Sequence, residues 1–92
     1  MYGMWNCKVE TPFGAEEYKL SMRHDGATVH HHTGDVEMDI YSYSDNKFFF
    51  QKKLDFPIQC RLLIDGNYEN QKINGTVQID TYLKVLFSGD AQ

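Results

Sequence analysis

His30, His31 and His32 stand in a row, the densest run of metal-ligating and proton-transferring side chains in the chain. In an extended strand successive side chains project to opposite faces, so His30 and His32 share one face and His31 takes the other. With Asp35 close by, the outward pair could make an adventitious surface site. A structural metal centre needs a preorganised third or fourth ligand, and no Cys-x-x-Cys or His-Glu-x-x-His spacing supplies one. Neither a metal nor a cofactor is expected. The same alternation assigns Tyr18, His24, His31, Lys52, Cys60 and Tyr68 to the inward phase, where they are the polar or reactive candidates. Lys52 then points into an otherwise apolar wall. Either its stem covers that wall while the ammonium reaches water, or it meets an anionic ligand group or acts as an amine base. No Gly-x-Ser-x-Gly elbow, phosphate-cradling glycine loop or dinucleotide fingerprint is present.

The elements that must carry these residues are strands. The chain reads twice through one hairpin plan, 44 positions apart. Tyr18, Leu20, Met22 and His24, a turn at Asp25-Gly26, then Val29 and His31 match Leu62, Ile64, Gly66 and Tyr68, a turn at Glu69-Asn70, then Ile73 and Gly75. Every second residue is the less polar one, and no window sustains a helical period. Eight strands are predicted, near residues 4–10, 16–24, 28–33, 36–43, 48–54, 58–68, 73–79 and 83–88. Short connections make neighbours antiparallel, and a duplicated meander of this length suggests an all-β, up-and-down barrel whose halves cover each other's edges. Asp65-Gly66 and Asn74-Gly75 are hairpin-turn dipeptides. The unbroken inward alternation from Ile58 to Tyr68 nevertheless favours continuous strands, with glycine marking a close approach.

Pairing of the fifth and sixth strands about Phe56 sets Phe48 against Ile64, Phe50 against Leu62 and Lys52 against Cys60. Pairing of the fourth and fifth about Asp45 sets Met38 against Lys52 and Tyr41 against Phe49. Gly66 and Gly75 face each other, with His31 standing in the repeat where Gly75 stands. The glycine pair could open a space inside the barrel, or could relieve crowding where the sheet curves. Tyr18, His31, Lys52, Cys60, Tyr68, Gly66 and Gly75 are the candidate ligand-binding residues. With Trp5, Phe48, Phe50 and Phe87 as an aromatic lining they would suit a flat apolar molecule carrying one polar group.

Composition excludes several partners. Nine basic against thirteen acidic side chains give a formal charge of −4 without a basic run, which argues against nucleic acid. The first residues carry neither a basic nor an apolar leader region, and no stretch approaches bilayer-spanning length, so a cytoplasmic protein without membrane contact is expected. Two cysteines in that setting read as small buried side chains. Ninety-two residues make one domain.

Gly3-Met4-Trp5-Asn6-Cys7, Thr11-Pro12-Phe13-Gly14, the stretch from Leu20 to Gly26, and Ile73-Asn74-Gly75-Thr76-Val77 followed by Phe87-Ser88-Gly89 carry a likeness over nearly the whole chain. The sequence resembles short bacterial calycin-like barrel proteins with a G-x-W start, a T-P-x-G turn and two strand-turn-strand units. It also resembles the lipocalin opening in its G-x-W. The resemblance implies the fold and brings no catalytic set.

On the outward phase Tyr41, Phe49 and Leu63 fall at matching positions, a patch suited to a symmetric homodimer. Three functions are compatible with these residues. One is a binding module for an apolar or aromatic small molecule. Another is an interaction protein whose barrel is filled by its own side chains. The third is a cofactor-free isomerase, lyase or hydrolase using His31, Lys52 or a tyrosine.

Overall fold

A computed structural model describes residues 1–55 and 59–92. All regular structure in it is antiparallel sheet: β1 (Gly3–Thr11), β2 (Gly14–Arg23), β3 (Gly26–His31), β4 (Gly34–Glu37), β5 (Ile40–Ser44), β6 (Lys47–Leu54), β7 (Cys60–Glu69), β8 (Lys72–Ile79) and β9 (Leu83–Ala91). The order across the single curled sheet is β4-β3-β2-β1-β9-β8-β7-β6-β5, so chain neighbours are sheet neighbours except where β9 returns to β1 and where β4 and β5 take opposite edges. Among the described residues no helix is long and apolar enough to cross a membrane.

Nine strands stand where eight were expected because the fourth breaks at Met38-Asp39. The Met38 amide donates to Ala27 on β3, and the next amide, of Asp39, donates to Gln51 on β6, each at 2.9 Å. Consecutive residues therefore finish one ladder and begin another. The strap they form draws the two edges of the sheet together at one end, where the Tyr43 hydroxyl also donates to the Gly26 carbonyl at 2.8 Å. Burial pushes the Tyr43 phenol up to about 12, although a backbone hydrogen bond with Arg23 works against it. Beyond the strap β4 and β6 share no ladder, and the curl is a half-barrel open at its other end.

Asp39 locks the strap. Its carboxylate accepts the Lys53 amide and the Lys52 ammonium, both at 3.1 Å, and these partners, in that order, hold its pKa below the ordinary 3.8. A carboxyl depressed on folding contributes stability that is present above its unfolded pKa and lost as pH falls through the folded one. The expected result is that the midpoint of urea unfolding falls less between pH 7 and pH 3 in Asp39→Asn than in the parent. An equal fall in both would show that the strap does not depend on this carboxylate.

The break changes register and therefore faces. Ser44 pairs with Lys47, leaving Asp45-Asn46 as the loop, and Tyr41 stands opposite Phe50 rather than Phe49. A one-residue slip moves every side chain to the other face. Tyr41 and Tyr43 thus join the inner side, and Ile40 turns outward, half-exposed. Between β6 and β7 the slip is two residues, which preserves faces: Phe48 meets Gly66, Phe50 meets Ile64, Lys52 meets Leu62, and Phe49 lies opposite Asp65. The expected row of Tyr41, Phe49 and Leu63 therefore does not exist; Phe49 and Leu63 remain outward, both half-buried. The pivot expected at Phe56 and the start of a strand at Ile58 lie outside the described residues.

β7 and β8 run unbroken through Asp65-Gly66 and Asn74-Gly75, with the two glycines paired as expected. Their loop is Asn70-Gln71, both at positive φ as a type I′ turn demands. The equivalent loop between β2 and β3 is His24-Asp25, so loop alignment sets His31 against Val77 instead of Gly75.

Inward residues near the strap pack solidly. Trp5, Met22, Ala27, Met38, Phe48, Phe50 and Ile73 are all buried. Phe48 stacks on Phe50 at 5.3 Å, and Trp5 meets Tyr68 edge-on at 5.7 Å while its indole N–H donates to the Met1 carbonyl at 2.9 Å. Each fully buried side chain of this size contributes about 1.5–3 kcal/mol. Leu20, Ile64 and Phe87 are buried with them, and Leu62 and Val77 are half-buried against this cluster.

Candidate ligand-binding lumen

The half-burial of Leu62 and Val77 marks a change along the barrel. At the strap end the inward residues are aromatic or long and meet across the interior. At the other end they are Val9, Val29, Val36, Val77 and Val85 with Leu62, too short to meet, and they enclose an unfilled space of about 330 Å³. Phe87, Leu20 and Ile64 form its floor against the packed half. The mouth lies among the loops that follow β1, β3 and β8, as the inclusion of Thr11, Thr33, Ile79 and Leu83 in its lining shows. Two of these loops carry nearly naked aromatic side chains, Phe13 at 99% exposure and Tyr82 at 80%.

Polar groups enter this lumen from one wall. Tyr18 and His31, inward on β2 and β3, stack with ring centroids 4.7 Å apart and planes 27° apart. The Tyr18 hydroxyl donates to Glu16 at 2.9 Å, and burial and that carboxylate raise its pKa. His31 Nδ1 lies 2.8 Å from the Thr33 hydroxyl. Cys7 lines the same cavity, but burial and the Asp90 charge lift its thiol to about 11, which leaves it protonated and a poor nucleophile at neutral pH.

Of the candidate binding residues, Tyr18 and His31 are brought together here and the others are not. Lys52 follows the inward phase of β6, opposite Leu62, but its ammonium is tied to Asp39 at the strap. Tyr68 belongs to the packed half, against Trp5. Cys60 pairs with Leu54 at the end of β7, half-buried and outside the lining; both cysteines are free thiols. His24 lies exposed in the β2–β3 loop. Gly66 and Gly75 do not open a space: the Phe48 ring lies over Gly66, and a Cβ on Gly75 would collide with the Asp65 carbonyl and stand 2.6 Å from the Gly66 Cα. Their role is the close approach of β7, β8 and Phe48.

The expected aromatic lining is likewise corrected. Trp5, Phe48 and Phe50 are packed away, Phe87 alone of the four lines the lumen, and the walls are aliphatic. Thr33 and the valines escaped the sequence reading as site residues. The valines looked like ordinary core positions, and only the observed register shows that five short side chains gather at one end.

On the outer face His30 Nδ1 pairs with Asp35 at 2.9 Å, and among the described residues no group of three His, Cys, Asp or Glu is placed to hold a metal. A wider outer depression, about 810 Å³, is lined by Lys8, Lys19, Glu17 and Asp90 together with His30 and His32. A scan against protein-family models, a search of curated proteins and a search of solved structures each return no match for this chain.

Proposed function

We propose that this protein is a small-molecule binding module that holds an aliphatic segment in the open half of its sheet. The observation that carries the reading is the ring of short, half-buried aliphatic side chains around an unfilled apolar space of about 330 Å³ with few polar groups at one wall. That is the low end of ordinary ligand cavities, on the order of ten water volumes, and fits a slender chain better than a broad ring system. The calycin-like likeness of the sequence supports the same reading, since such barrels are open at one end. The interaction-protein alternative draws on the packed half, where aromatic side chains fill the interior, and the enzymatic one keeps only His31 and Tyr18 after Lys52 is spent on Asp39.

The test is to fill the lumen. Val77→Phe places a larger apolar side chain where space exists, so an anilinonaphthalene sulfonate dye whose fluorescence rises with the parent protein should show no rise with the variant, at unchanged thermal stability. Equal dye binding by parent and variant would overturn the reading.

A further inference from the structure

His31 lines the lumen beside Tyr18, stacked on its ring. The Thr33 amide, which can only donate, points at His31 Nδ1 at 3.4 Å, with the Thr33 hydroxyl 2.8 Å from the same nitrogen. In the neutral ring Nδ1 is therefore the lone-pair nitrogen and the proton resides on Nε2. The ring is held by its stack on Tyr18 and by a second contact with His32 at 3.9 Å between centroids. Among the described residues Nε2–H has no hydrogen-bond partner, and the Tyr18 proton is committed to Glu16. Of the stacked Tyr18–His31 pair, His31 alone keeps a ring donor free for a ligand.

We infer that His31 is the anchor for a chain-end oxygen: the ligand is an aliphatic compound ending in a hydrogen-bond acceptor, a carboxylate or a carbonyl, whose tail lies among Val29, Leu62, Val77 and Val85. A donor-only head, such as an ammonium, finds no matching acceptor at Nε2. Thr33 and Tyr18 are positioning residues that set the tautomer and the ring plane. This assignment rests on the lumen holding an aliphatic segment.

Calorimetric titration of the full chain with decanoic acid, 2-decanone and decane separates the two ideas. The parent should bind at least one oxygenated chain about threefold to tenfold more tightly than decane, the range of one neutral or weakly charge-assisted hydrogen bond. Preference for the acid over the ketone identifies the acceptor as carboxylate, and the reverse as carbonyl; both support the anchor. His31→Phe keeps the stack on Tyr18 but lacks the donor, and should bind all three alike, whereas His31→Gln, which retains an N–H, should restore part of the preference. A parent that binds decane as tightly as the oxygenated chains, or a His31→Phe that keeps the preference, overturns the anchor and leaves the lumen reading standing. A parent that binds none of the three overturns both.

Discussion

Replacing Phe48 by alanine is expected to cost about 3–5 kcal/mol, the range for emptying a fully packed aromatic site. Phe48 is 2% exposed, stacks on Phe50, lies within 6.3 Å of Phe87, and covers Gly66. No neighbour can follow the ring into the void, because the glycines beneath it have no side chain and the backbone beside them is fixed by the β7–β8 ladder. Domains of this size hold roughly 5–15 kcal/mol in all, so the variant should unfold at a much lower urea concentration, with the slope of the transition retained. A loss below about 1 kcal/mol would mean that the strap half is loosely packed.

The second large effect is expected from Gly75→Val. A side chain there meets backbone atoms of Asp65 and Gly66, which cannot rotate away, so the cost should reach the top of the roughly 1–3 kcal/mol range for overpacking. Val77 lies two places along on the same face of β8, beside the open lumen. Adding a ring there should cost little, and this contrast between neighbouring inward positions separates the filled half of the barrel from the empty one. Thermal unfolding of the two variants side by side checks it. Equal destabilisation would show that the interior is packed throughout.

These contrasts also explain what could be read from the residues alone. Alternation placed Trp5, Leu20, Ile64 and Phe87 inside and carried β7 and β8 through their Asp-Gly and Asn-Gly pairs, because burial of one face sets strand phase more strongly than a local turn preference. Register between strands was not legible. It depends on loop geometry, and moving the β5–β6 loop from Asp45 to Asp45-Asn46 put Tyr41 opposite Phe50 and off the face that carries Phe49. The break at Met38-Asp39 was hidden for a similar reason: Val36, Met38 and Ile40 alternate as one strand would, and only the partners on β3 and β6 show two ladders. Phase alone put His31 and Tyr18 on one inward face, where their rings stack. The partner of Lys52 was not legible, because Asp39 becomes its neighbour only when the strap closes. The lumen itself is a consequence of register, which collects valines from β1, β3, β4, β8 and β9 at one end.

The most direct measurement is the pattern of intermolecular nuclear Overhauser effects between decanoic acid and the methyl groups of the protein. Tail protons should contact the methyls of Val29, Leu62, Val77 and Val85, and should contact neither Met22 nor Met38 in the packed half. Contacts with the methionines, or contacts confined to outward residues such as Leu63 and Leu86, would contradict an aliphatic chain lodged in the open end of the barrel.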